Sequence, residues 1–118
     1  MRDDVVEVRG ELAELARDPV LAPHEQRRAE GMPPAAAAAF VAGRTLVRRL
    51  LGHWLAVDPC PIRFQDEPDA KPRLDPPNEV DFSVAHAGDL VVVALARGRR
   101  VGVDVEPVSH RRAIAAIT

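Results

Sequence analysis

The sequence predicts an α+β fold in which helices are followed by an antiparallel β-meander. Apolar residues recur at helical spacing through the first half, and period-two alternation replaces this spacing from about residue 80. Helical segments followed by a run of strands are typical of α+β domains. With 118 residues and 47% hydrophobic content, the chain has the size and apolar content of one domain with a packed core.

The first half contains a short strand, two short helical segments and one long helix. The valines between Val5 and Val8 predict the strand, and Glu11 to Arg17 predicts a short helix or turn. A charged helix is expected over Pro23 to Glu30, because proline is favoured in the first helical turn. The strongest prediction is a helix from about Ala35 to Ala56.

This long helix is predicted from an apolar stripe and from an alanine run at its start, since alanine is the best helix former. Three arginines, Arg44, Arg48 and Arg49, lie off the stripe. The stripe consists of Ala36, Phe40, Val47, Leu50, Leu51 and Trp54.

The second half changes from a proline-rich segment to strands. Asp58 to Pro77 is expected to be an extended loop region, with one short candidate strand at Ile62 to Gln65. Val80, Phe82 and Val84 alternate with polar residues, as in a strand with one buried face. Two further strands are predicted, at Leu90 to Ala96, which is buried on both faces, and at Val101 to Glu106. A hairpin turn at Arg97 to Arg99 joins them, and a helix is expected at Ile114 to Ile117.

Charge and composition exclude several classes of protein. A net charge of −2 gives no general attraction to nucleic acid or to anionic membranes. The only cysteine, Cys60, excludes an internal disulfide and fits a reducing compartment. The N-terminus has no apolar signal-peptide core, so a cytoplasmic location is predicted. Glycine-rich phosphate loops, zinc-ligand spacing and a GxSxG motif are all missing from the sequence.

The clearest chemical pattern is the alternation in Val101-Gly102-Val103-Asp104-Val105-Glu106. In a strand, this alternation places the valines on one face and both acidic residues on the other. Carboxylates at i and i+2 lie roughly 6.5–7 Å apart, which lets both reach one hard cation such as Mg2+. The pattern also fits a half-buried strand with a solvated acidic face, and the pattern alone does not decide between them.

Three further positions could contact phosphate groups. Lys71 is the only lysine and precedes Pro72, whose ring stiffens the backbone beside this point charge. His86 follows a strand, and its small neighbours Ala85, Ala87 and Gly88 leave the backbone open to a ligand. Arg28 lies in the charged helix, and arginine binds phosphate oxygens bidentately. Each of the three is also typical of a solvated surface residue.

With these motifs in this order and at this spacing, the chain resembles the N-terminal half of a 4'-phosphopantetheinyl transferase. The resemblance is to the large, pseudo-dimeric type that activates peptide and polyketide synthases. It is carried by Pro23 to Arg28, Phe40 to Leu51, Lys71-Pro72, Phe82 to Asp89, Leu90 to Ala96 and Val101 to Glu106. It implies a single N-terminal lobe over residues 1–118, without the C-terminal lobe. Such enzymes transfer the phosphopantetheine arm of coenzyme A to a serine of an acyl or peptidyl carrier protein.

The resemblance also implies roles for individual residues. Asp104 and Glu106 would ligate Mg2+, which would also hold the pyrophosphate of coenzyme A. His86 would contact the adenosine 3'-phosphate. The full set of implied coenzyme A contacts is Arg28, Lys71, Ala85, His86, Ala87 and Gly88.

Several departures from the family pattern limit what the chain is expected to do alone. Alanine replaces the usual serines on both sides of His86, at Ala85 and Ala87, and Ala70 replaces the usual glycine before Lys71. The family's second half supplies a third acidic ligand and the acid/base candidates, so no catalytic residue is expected within this chain. We therefore expect no transfer by the chain alone, and self-association through an exposed half-interface. The alternatives are a non-catalytic remnant that binds coenzyme A or a carrier protein, and a one-lobe enzyme that forms an oligomer.

Overall fold

A computed structural model of the chain describes residues 5–66, 71–98, 100–105 and 111–116. The helix-rich first half and the antiparallel strands confirm the predicted α+β class. The elements in chain order are β1 (Val5–Glu11), α1 (Leu12–Arg17), α2 (Pro23–Glu30), α3 (Pro34–Leu55), β2 (Phe64–Gln65), β3 (Arg73–Leu74), β4 (Val80–Ala87), β5 (Leu90–Arg97), β6 (Arg100–Val105) and β7 (Arg111–Ala116).

The long helix α3 begins and ends within one residue of its predicted bounds. Its end is fixed by Ala56, which adopts the left-handed conformation with φ 56°. The N–H of Val57 then donates to the carbonyl of Gly52 at 3.0 Å, as in common helix C-caps. None of the helices in the described part of the chain has the length and apolar character needed to cross a membrane.

The central sheet has β5 in the middle, with β1 and β4 antiparallel on either side. Residues 91–96 of β5 are all buried, which confirms the prediction of a strand covered on both faces. One face packs against α3, through Val47 and Leu51, and includes Phe82 of β4. The other face packs against Val101, the second residue of β6. The sheet is therefore the middle layer, and β6 lies on the side opposite α3.

Two predictions about the strands are wrong in detail. The expected meander placed β6 beside β5, but β1 occupies that edge of β5, so β6 instead pairs with β7. The apolar run Ile114 to Ile117 was expected to be helical, but residues up to Ala116 belong to strand β7, and Ile117 lies outside the described residues. A run of four apolar residues is too short to distinguish helix from strand by periodicity.

Candidate functional site

His86 lies inside β4 rather than after it. Its Cα pairs with that of Val91 across the hairpin, and the side chain is exposed. Because side chains alternate along a strand, His86 shares the α3 face with Val84, whereas Ala85 packs against the cluster on the β6 face. Within the described part of the chain, no hydrogen bond or ion pair engages the His86 imidazole, so the ring is open to a ligand.

The turn after His86 consists of Gly88 and Asp89. Ala87 pairs with Leu90, which leaves two residues in the loop. Gly88 adopts φ +57°, a conformation that glycine reaches without a steric penalty. A Cβ atom at this position would meet no atom within 4 Å, so the backbone of the turn is open, as the small residues predicted.

Lys71 joins two elements of the β6 side of the molecule. Its ammonium donates to Asp81 Oδ2 at 2.7 Å and to the carbonyl of Val101 at 2.9 Å. The same Asp81 oxygen accepts the N–H of Val101 at 2.8 Å. Asp81 lies five residues before His86 on β4, about 17 Å along the strand and on the other face. The structure therefore brings Lys71 to the start of β6 and not to His86.

Arg28 lies on α2, with its side chain 48% exposed. Its guanidinium is 4.7 Å from the centroid of the Phe40 ring and 3.7 Å from Asp66 Oδ1. With about half of the side chain exposed, Arg28 is available to a phosphate group.

A buried ionic network, which we call the Glu25 network, lies beside Arg28. The Glu25 side chain is fully buried and accepts from Arg48 Nε and from Arg44 Nη1, each at 2.8 Å. Arg44 also donates to both carboxylate oxygens of Asp66. Arg48 Nη1 donates to three carbonyl groups of the loop after α3, those of Pro59, Cys60 and Ile62. The network fixes α2, α3 and this loop to one another.

Sequence reasoning missed the Glu25 network because it placed both arginines off the apolar stripe of α3. Arg44 and Arg48 are 7% and 0% exposed. Both guanidinium groups lie over the Phe64 ring, at 5.0 Å and 4.8 Å from its centroid. Their i, i+4 spacing, which puts both on one helix face, is the only sequence signal that could have suggested a shared partner.

The charges of the Glu25 network shift three pKa values. Burial opposes ionisation of Glu25, but hydrogen bonds from Arg48, Ala22 and Arg44 outweigh it and lower the pKa of Glu25. The hydrogen bond from Arg44 lowers the pKa of Asp66 against an opposing effect of burial. Burial also disfavours the charged form of Arg44, yet Asp66 and Glu25 raise its pKa. All three groups are charged at neutral pH.

The predicted metal pair lies at the limit of what the structure describes. The backbone of Asp104 belongs to β6, opposite Arg112 of β7, and Glu106 lies outside the described residues. The described residues contain no group of three or more His, Cys, Asp or Glu side chains that could hold a metal. The assignment of Asp104 and Glu106 therefore stays a prediction.

Comparison with known proteins finds phosphopantetheinyl transferases among the relatives of this chain. No protein-family model matches the chain. It is 33% identical over 70 residues to the 4'-phosphopantetheinyl transferase HetI of Nostoc sp., and 38% identical over 68 residues to a phosphopantetheinyl transferase of Thraustochytrium sp.. Over the matched residues, the chain is therefore similar to 4'-phosphopantetheinyl transferases. The matches cover 57% and 55% of the chain but only 30% and 23% of the two relatives.

A solved structure of the superfamily supports the fold. A holo-(acyl-carrier-protein) synthase from Bacillus anthracis, solved in complex with CoA (3',5'-ADP), superposes with a TM-score of 0.64 at 20% identity. The superposition covers 79% of this chain and 93% of the synthase. At this identity, the likeness establishes the shared fold alone. The elements described above therefore share the fold of this synthase.

Proposed function

We propose that this chain supplies the N-terminal half of a 4'-phosphopantetheinyl transferase site. The reaction would transfer the phosphopantetheine arm of coenzyme A to a serine of an acyl or peptidyl carrier protein. The observation that carries the proposal is the identity of 33% and 38% to two phosphopantetheinyl transferases over about 70 residues each. The matched segment spans less than a third of either relative, which supports a role for this chain as only part of the site.

In this reaction, the serine oxygen forms a bond to phosphorus while the bond to 3',5'-adenosine bisphosphate breaks. The serine proton must leave to a base, and the departing bisphosphate carries additional negative charge. The residues of this chain would bind and orient coenzyme A rather than take the proton. His86, with its unengaged imidazole and the open turn at Gly88, is suited to the adenosine phosphate. Arg28 and Lys71 would add positive charge at two further places.

The chemistry of the donor set fits Mg2+. Asp104 and Glu106 both offer carboxylate oxygens, which are the ligands that hard divalent cations prefer. When bound, Mg2+ would neutralise charge that develops on the phosphate and on the leaving group. Asp81, the nearest carboxylate to the start of β6 in the described part of the chain, is already engaged by Lys71 and by the N–H of Val101. The metal role therefore stays with Asp104 and Glu106.

Mass spectrometry of an apo carrier protein tests the proposal. After incubation with coenzyme A and Mg2+, the 118-residue chain alone is expected to add no phosphopantetheine to the carrier, and the chain completed by the C-terminal half of a phosphopantetheinyl transferase is expected to add one. Absence of transfer by the completed chain would contradict the proposed activity. Transfer by residues 1–118 alone would instead show that the site is complete within one lobe or an oligomer of it.

Substitution of a metal ligand tests the site separately. Asp104→Ala is expected to remove transfer and Mg2+-dependent binding of coenzyme A in calorimetry, because two close carboxylates are needed to hold the ion. Glu79→Ala is the matched control, since Glu79 is an exposed acid whose carboxylate pairs with Arg97 on the surface. Full activity of Asp104→Ala would refute the metal assignment.

A further inference from the structure

The contact between Lys71, Asp81 and Val101 links the start of β6 to the central sheet without strand pairing. β6 pairs with β7, and within the described part of the chain it has no ladder partner in the central sheet. Val101 is nevertheless 4% exposed, and buried backbone groups need hydrogen-bond partners. The Asp81 carboxylate accepts its N–H, and the Lys71 ammonium donates to its carbonyl. Two side chains thus attach β6 to the central sheet.

The same contact fixes the position of the only lysine in the chain. A lysine ammonium has three N–H donors, and Asp81 and Val101 use two of them. The Lys71 side chain is 35% exposed, so a ligand can still approach the ammonium. A lysine held in this way has already lost most of its rotamer freedom, and an anion that binds it does not have to restrict the side chain again.

From this geometry we infer that Asp81 is a positioning residue for phosphate binding by Lys71. The inference rests on the proposed function, because it takes coenzyme A as the phosphate ligand. Asp81 would hold the Lys71 ammonium at the start of β6, three residues before Asp104, with one donor free for a phosphate oxygen. Asp81 itself would not touch coenzyme A.

The variant Asp81→Asn separates this inference from simple electrostatics, because the two predict effects of opposite sign. If Asp81 is only a negative charge near a polyanion, its removal strengthens coenzyme A binding. If Asp81 positions Lys71, its neutralisation weakens the hold on the ammonium and raises the Kd for coenzyme A, by about five- to tenfold for the difference between a charge-assisted and a neutral hydrogen bond. The asparagine oxygen can still accept the N–H of Val101, so β6 keeps that hydrogen bond.

A double-mutant cycle in the chain completed by the same C-terminal half completes the test, with calorimetry of coenzyme A as the measurement. In a Lys71→Met background, Asp81→Asn is expected to have no further effect on the Kd, because Asp81 would act only through Lys71. A purely structural role would weaken binding equally in both backgrounds and would overturn the inference, as would tighter binding by Asp81→Asn alone. Glu79→Gln removes a nearby surface charge of the same sign and is expected to change the Kd less than twofold.

Hydrogen exchange of the Val101 amide tests the contact independently of any ligand. Asp81→Ala is expected to speed this exchange by at least tenfold, and Asp81→Asn much less. If the wild-type protein fails to bind coenzyme A while the amide responds as expected, the proposed function is wrong and the attachment of β6 stands. An unchanged exchange rate in Asp81→Ala would overturn the positioning role itself.

Discussion

Removal of the Glu25 carboxylate is expected to be among the most destabilising single changes in this lobe. Glu25 is fully buried and is the carboxylate that pairs with Arg48, whose side chain is also fully buried. In Glu25→Ala, the Arg48 charge would stay in the interior with only backbone carbonyls and the Phe64 ring as partners. Arg44 would keep its second partner, Asp66. The main cost therefore falls on Arg48.

The expected loss of unfolding free energy is about 3–5 kcal/mol, the range for removal of one partner of a buried ion pair. Because small domains have a total stability of roughly 5–15 kcal/mol, such a loss would leave Glu25→Ala partly unfolded at 37 °C. Replacement of both Glu25 and Arg48 by methionine should cost less than the sum of the single changes, since no unpaired charge then remains buried.

Urea unfolding followed by circular dichroism measures this loss, with coincident transitions by fluorescence of Trp54 as the check for two-state behaviour. Glu30→Ala is the matched control, because Glu30 is an exposed acid at the end of the same helix. Its effect is expected to stay within about 0.5 kcal/mol. If Glu25→Ala lost less than about 1 kcal/mol, or no more than the control, the Glu25 network would not be the main support of α2.

Three further predictions concern the same lobe. The free energy of unfolding should be constant above about pH 4.5 and fall in more acidic solution, as Glu25 and Asp66 take up protons. Folding lowers the pKa of these two carboxyl groups from 4.5 and 3.8, so the stability they contribute is present above those values and is lost as the pH falls through the folded-state pKa. A urea midpoint unchanged between pH 6 and pH 3 would contradict this. Gly88→Ala should lower the free energy of unfolding by about 1 kcal/mol, because Gly88 has a left-handed φ. Gly31→Ala, where φ is −88°, should be neutral or stabilising in the same urea experiment. The lobe alone should self-associate in sedimentation experiments through exposed apolar surface, and a monodisperse monomer at high concentration would contradict that.

The elements with strong local periodicity were predicted well from the sequence. The bounds of α3 and the buried character of β5 follow from patterns within a single stretch of chain. The hairpin expected at the turn Arg97 to Arg99 is wrong, because β6 pairs with β7. The weaker predictions failed where a segment was short. β3 has only two residues, and the run that ends at Ile117 gave no usable period.

The candidate site was predicted by residue type but not by arrangement. His86 and Gly88 are accessible as expected, because their positions depend on one hairpin. The neighbours of Lys71 could not be predicted, because Asp81 is 10 residues away and Val101 is 30 residues away. Arg44 and Arg48 were likewise assigned no partner, since Glu25 lies 19 and 23 residues from them.

The sequence by itself determined the α+β class, the main helix, the buried strand β5 and the resemblance to phosphopantetheinyl transferases, because these depend on local periodicity and on the order of short motifs. Only the tertiary structure decided that β1 takes the edge of β5, and that β6 lies on the opposite face from α3 and is attached through Lys71 and Asp81. These outcomes depend on which distant groups meet in a desolvated interior, where each buried charge and backbone group must find a partner.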